Sequence, residues 1–105
     1  MSEFHRGTLL GPADAPARGE RSQPVARLGG VVVEHVVSGA LAAPADYDQP
    51  FDEWAVVLEG GAVLEVDGSR LDLGPGSWVL LPAHLPHRLV ETQPGTTSLT
   101  VSATP

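Results

Sequence analysis

Turn-forming residues cut this chain into pieces too short for helices. From Gly30 onward, Gly60-Gly61, Asp67-Gly68, Gly74-Pro75-Gly76, Pro82 and Pro94-Gly95 interrupt the sequence, with a turn signal roughly every eight to twelve residues. No segment repeats its apolar residues with a helical period over the ten or so positions a helix needs. The pieces between the turns are rich in Val and read as strands: residues 30–38 with five valines, then 53–59, 62–66, 70–73, 77–81, 86–92 and 97–102. Asp67-Gly68 between two such pieces predicts a two-residue hairpin. Many short strands punctuated in this way predict a single all-β domain, a sandwich or a closed antiparallel barrel.

The chain before this texture differs. Residues 11–24 hold three prolines and two glycines, which predicts irregular structure there. Residues 1–24 are therefore expected to form an extended or partly mobile arm, with a short strand near residues 6–10, and residues 25–105 the barrel.

Composition narrows the function classes. There are 105 residues, enough for one modest core. Thirteen acidic residues against six basic ones, all Arg, give a formal charge of −7, which argues against nucleic acid or an anionic membrane as partner. The absence of cysteine excludes disulfides, thiolate metal sites and cysteine nucleophiles. The first ten residues contain no apolar stretch like that of a signal peptide, and no run reaches membrane-spanning length, so a soluble cytoplasmic protein is expected. Ser77 and Ser98 lack the Gly-x-Ser-x-Gly context of a nucleophilic hydrolase. A helix-turn-helix segment is not visible either.

Strand parity then sorts the polar residues. If the chain is extended from Tyr47, then Tyr47, Gln49, Phe51, Glu53, Ala55 and Val57 share one face; His87, Leu89 and Glu91 share a face of a later strand. Inside a barrel these faces meet. A carboxylate there must be paired, hydrogen-bonded or bound to a cation. Trp54, Val56 and Leu58 point the other way, as does one of the sets Trp78/Leu80 and Ser77/Val79/Leu81. An apolar outer face needs a cover, either the N-terminal arm or a second subunit, and a homodimer is expected.

Two spacings carry a family resemblance. Glu53, six residues, then Gly60 matches the end of the first cupin motif, and Gly76, five residues, Pro82, then His87 matches the second. The order of strands and turns between them matches as well, so the chain resembles the small single-domain cupins over roughly residues 31–102. The resemblance implies a jelly-roll barrel, or double-stranded β-helix. The first motif usually carries a His-x-His pair. Here the matching positions read Tyr47-Asp48-Gln49, and this stretch resembles a bacterial subgroup with a Tyr-Asp-Gln signature. In the second motif, His84 stands where Gly is usual and Glu91 where Asn is usual.

By this resemblance the metal positions are Gln49 (or Tyr47), Glu53 and His87. Tyr47, His84 and Glu91 are the further pocket candidates. One imidazole, one carboxylate and one amide oxygen suit a borderline divalent cation, such as zinc, manganese, nickel or iron, held weakly. Without a metal, Glu53 needs hydrogen bonds from Tyr47 or Gln49, pairing with protonated His87, or a raised pKa. Glu53 could instead pair with Arg88 or Arg70. His35 reads as a half-buried strand histidine and His84 as an exposed residue of the rim. Three functions compete: a metal-dependent dioxygenase or isomerase, a non-catalytic small-molecule-binding domain, and a structural protein. Losing both motif histidines weakens the first. A cupin binding a metal or a small molecule, with no assigned activity, ranks highest.

Overall fold

The structure, a computed structural model, describes residues 3–103. Its strands are β1 (Glu20–Leu28), β2 (Val31–Ser38), β3 (Ala45–Tyr47), β4 (Glu53–Glu59), β5 (Ala62–Val66), β6 (Ser69–Leu73), β7 (Trp78–Leu81), β8 (His87–Thr92) and β9 (Thr96–Ala103). They form a five-stranded sheet in the order β1-β2-β9-β4-β7 and a four-stranded sheet in the order β3-β8-β5-β6. All the strand pairings are antiparallel. Among the described residues the helical content is one 3-10 turn at Pro12–Asp14, and no helix is long and apolar enough to cross a membrane. This is the all-β architecture that the turn spacing predicts, in the jelly-roll form that the family resemblance implies.

The Asp67-Gly68 turn joins β5 to β6 with both residues at positive φ, 50° and 75°, and Val66 faces Ser69 across it. That is the backbone of a type I′ hairpin, whose twist matches the flanking strands. At the end of β4, Gly60 (φ 85°) lies against Thr96 so closely that an added Cβ would overlap the threonine. The Thr96 hydroxyl accepts a hydrogen bond from the Gly61 amide (3.1 Å) and donates to the Gln93 carbonyl (2.7 Å). Val57, Leu64 and Leu81 close the interior with exposures of 5–6 %. Burial of an aliphatic side chain of this size stabilises a fold by about 1.5–3 kcal/mol.

The N-terminal region departs from the expected irregular arm. Residues 20–24 belong to β1, a nine-residue strand that pairs with β2 on one side and is exposed along its whole length. Pro24 is accommodated because β1 is an edge strand and its register shifts between Pro24 and Ala26. No strand forms near residues 6–10. Further on, Arg18 bridges Ala40, and the Gly39 amide donates to the Gly19 carbonyl at 2.8 Å, so this part of the chain is tied to the barrel. Residues 45–47, expected in a loop, form the short strand β3 against β8.

Candidate functional site

A cavity of about 330 Å³ lies between the two sheets. Tyr47, Gln49, Phe51, Glu53, Ala55 and Val57 all line it, as alternation along an extended segment requires. His87 and Leu89 line it from the facing sheet. On β7, Val79 and Leu81 point inward, which leaves Trp78 and Leu80 on the outer face, 61 % and 60 % exposed.

Glu53 is half-buried, and Gln49 Nε2 donates to its Oε2 at 2.7 Å. This is one of the solutions open to an inward carboxylate. The alternative arginine partners are engaged elsewhere: Arg88 forks onto Asp46 (2.7 and 3.3 Å) and Arg70 sits 3.3 Å from Asp72. Both pairs are solvent-exposed and contribute little to stability. His87 is 9 % exposed, stacks on Tyr47 with ring centroids 5.5 Å apart, and places Nδ1 2.9 Å from the Leu85 carbonyl. A carbonyl only accepts, so Nδ1 carries a hydrogen. In the neutral ring, Nε2 is then an acceptor, and no group among the described residues pairs with it.

Two pocket candidates are corrected. Glu91 is exposed and does not line the cavity. The register between β5 and β8 shifts, with Leu64 opposite Leu89 but Val63 opposite Glu91. The extra residue is a β-bulge, which moves Glu91 to the outside and Thr92 to the inside. His84 does not line the cavity either. Its side chain is 72 % exposed with Nδ1 3.4 Å from Asp48, which agrees with the reading of an exposed rim residue. Its backbone has φ 62°, so it occupies a left-handed position where glycine is the usual residue. His35 is buried more deeply than expected, 1 % exposed, with Nδ1 unpartnered among the described residues.

Other lining residues were missed. Glu20 and Glu34 bring two more carboxylates, and Ser22 and Ser38 two hydroxyls, from β1 and β2. Thr96, Ser98, Thr100 and Ser102 place a row of hydroxyls along β9. The signal for that row stands in the sequence: residues 96–102 read Thr-Thr-Ser-Leu-Thr-Val-Ser, with a hydroxyl at every second position and apolar residues at two of the three between. Burial, and next the charge of Glu53, raise the pKa of Glu20 above the ordinary 4.5. Glu20 is nevertheless largely open to solvent along the edge strand, so the shift matters more as a sign that the two carboxylates sense each other than for its size. Burial, with the charges of Glu20 and Glu53, likewise raises Tyr47.

The geometry defines a class, double-sheet barrels with a polar internal site. The comparisons then place the chain within it: the cupin-domain family model matches residues 32–102, and the chain belongs to the cupin family. Among solved structures, a Ralstonia eutropha protein provisionally named a mannose-6-phosphate isomerase is 34 % identical. That match covers 97 % of this chain and 100 % of that one, with a TM-score of 0.81. KdgF from a Halomonas species (20 % identical, 83 % and 80 % covered, TM-score 0.74) and a cupin superfamily protein of Desulfitobacterium hafniense (21 %, 98 % and 94 %, TM-score 0.67) share the fold. No curated protein matches the chain.

Cupins often hold a metal in the barrel. Here the donor set does not fit a firmly held one. Among the described residues no three His, Cys, Asp or Glu side chains converge on a point. His87 supplies a single imidazole, and one Glu53 oxygen is committed to Gln49. A protein site for a first-row divalent ion ordinarily needs at least three such ligands.

Proposed function

We propose that this protein is a small-molecule-binding cupin whose ligand occupies the barrel cavity and does not require a metal there. One observation carries the reading: β2 and β9 turn hydroxyls into the cavity that no group among the described residues engages. Among the described residues, the hydroxyls of Ser38, only 3 % exposed, and of Ser98, Thr100 and Ser102 on β9 have no hydrogen-bond partner. Hydroxyls on a cavity wall without a protein partner are left to water or a ligand, and a ligand that bonds them gains what an unpaired group would lose. The facing four-stranded sheet turns Leu64, Leu73 and Leu89 toward the cavity and is apolar there. A few aimed polar groups on an otherwise apolar lining are the usual make-up of a ligand pocket.

The test is a small-compound screen read by heteronuclear NMR. Bound compounds should move the amide signals of β9 and of His87 in the wild type and leave them unmoved in Ala55→Leu, which fills the cavity. Signals that move only on the outer surface, or equally in both proteins, overturn the reading.

A homodimer is also proposed, with the second copy covering the outer face of the five-stranded sheet. The support is the apolar pair Trp54 and Trp78, ring centroids 6.2 Å apart, beside the exposed Leu80.

A further inference from the structure

The lining residues also indicate what kind of molecule the cavity takes, on the reading just given. Three carboxylates, Glu20, Glu34 and Glu53, face the interior, and neither Arg nor Lys lines it. Two polar side chains buried by nine-tenths or more line the cavity, Ser38 and His87, and among the described residues neither the Ser38 hydroxyl nor His87 Nε2 has a partner. With Nδ1 bound to the Leu85 carbonyl, Nε2 offers a lone pair and no hydrogen. The free capacity of the wall is therefore mostly acceptor capacity, and its formal charge is negative.

These facts separate ligand classes. A phosphate or carboxylate ligand would meet three carboxylates and no cation, and beside the half-buried Glu53 that repulsion is stronger than in water. The sugar phosphate suggested by the name of the Ralstonia relative is thus a poor match for this wall. A neutral polyol would satisfy the hydroxyls of β9 but leave the carboxylates facing one another. A cation that also carries hydroxyl groups answers both demands. The stacked Tyr47–His87 pair presents an aromatic face beside the carboxylates, a further favourable surface for positive charge.

We propose that the cavity binds a small hydroxylated amine, its ammonium held between Glu20 and Glu53 and its hydroxyls running along Ser38 and the β9 row. Glu53 would keep its bond from Gln49 and offer its second oxygen to the ammonium. His87 Nε2 would accept from a ligand N–H or O–H.

The experiment uses three sets of compounds on matched carbon skeletons: amino sugars and amino alcohols, the corresponding neutral sugars and polyols, and their phosphate monoesters, with glucosamine, glucose and glucose 6-phosphate as one triplet. Binding is measured at neutral pH by NMR titration and thermal shift. The amines should bind at least about tenfold more tightly than their neutral partners, and the phosphates most weakly. In Glu20→Gln and in Glu53→Gln, each checked for native circular dichroism, the preference for the amine should shrink to within about twofold. Arg21→Gln, a change of similar size on the exposed edge strand and outside the cavity, should keep it. If neutral polyols or phosphates bind as tightly as amines, the amine inference is overturned while the cavity reading stands. An amine preference that survives both glutamine variants overturns the placement of the ammonium. If no set moves the cavity signals, both the inference and the reading beneath it fail.

Discussion

The two faces of β9, at the centre of the five-stranded sheet, are the wrong way round for an isolated globular domain. On β9 the inner face carries Thr96, Ser98, Thr100 and Ser102, while the outer face carries Leu99 and Val101. Polar residues also turn inward on the adjacent β2, whereas β4 and β7 are apolar on both faces apart from the terminal glutamates of β4. β2 turns Glu34 and Ser38 inward, and β7 leaves Trp78 and Leu80 outward. A one-sided sheet normally puts its apolar residues inward and its polar ones toward water. The difference teaches that neither face is finished by this chain alone. On the proposed reading, a ligand rich in hydrogen-bond donors completes the inner face and a second copy covers the outer one.

The closed end of the inner face is the place where the comparison breaks most violently. In Gly60→Ala, the new methyl group would overlap Thr96, and a non-glycine residue would be forced to φ 85°. Backbone strain and overpacking together should destabilise the fold by about 3 kcal/mol in urea denaturation. A loss below about 0.5 kcal/mol would mean that β4 and β9 can separate here at little cost, and that the inner face is not rigidly closed.

Next in size is the outer face. Trp78→Glu combined with Leu80→Glu adds charge to the two most exposed apolar side chains of β7. If a second copy covers this face, the variant should sediment as a monomer at concentrations where the wild type is a dimer, a weakening of at least about a hundredfold. A wild-type mass that is already monomeric at micromolar concentration ends the dimer proposal.

A change to the inner face sharpens the contrast from the other side. Ser98→Val with Thr100→Val would give β9 apolar residues inside as well as outside. Burial of the added methyl groups should raise stability by about 1 kcal/mol, while binding in the cavity falls by about tenfold. Unchanged binding would show that the hydroxyl row does not touch the ligand.

How much of this was legible depended on whether a residue left a pattern. β4 and β5 could be read to the residue, because Gly60-Gly61 and Asp67-Gly68 bound them and they are apolar between those turns apart from the terminal glutamates of β4 and the outward Glu65. The inward set from Tyr47 to Val57 followed from alternation alone, and with it Gln49 and Glu53. β1 left no such trace. Its sequence, Glu-Arg-Ser-Gln-Pro-Val-Ala-Arg-Leu, is exposed throughout and pairs on one side only, so no buried face imposes an apolar period, and Pro24 argues against a strand. Glu20 was lost with it. The Gly29-Gly30 turn between Leu28 and Val31 was the one available hint of that hairpin. Glu91 failed for the opposite reason: alternation was applied through a β-bulge that nothing in the sequence marks, and parity beyond it is inverted.

The smallest expected effect lies on the edge strand, where Glu20 connects the two faces to solvent. Its pKa in the folded protein is raised by burial and then by Glu53, against about 4.5 in the unfolded chain. Below pH 4.5 the carboxyl is protonated in both states, and its ionisation costs the fold nothing. As pH rises toward the folded value the unfolded chain loses its proton first, so stability falls; above the folded value the penalty is complete and constant. Glu20→Gln removes that penalty. The variant should therefore be slightly more stable than the wild type at neutral pH, with the gap closing as pH falls below 4.5. Urea denaturation from about pH 3.5 to 8 measures this directly. A saturating amine that binds the wild type should reverse the order at neutral pH, because its positive charge removes the penalty and adds binding free energy that the variant lacks. A variant less stable at neutral pH without ligand would show that Glu20 already has a favourable partner, and the inner face would then not be waiting for a cation.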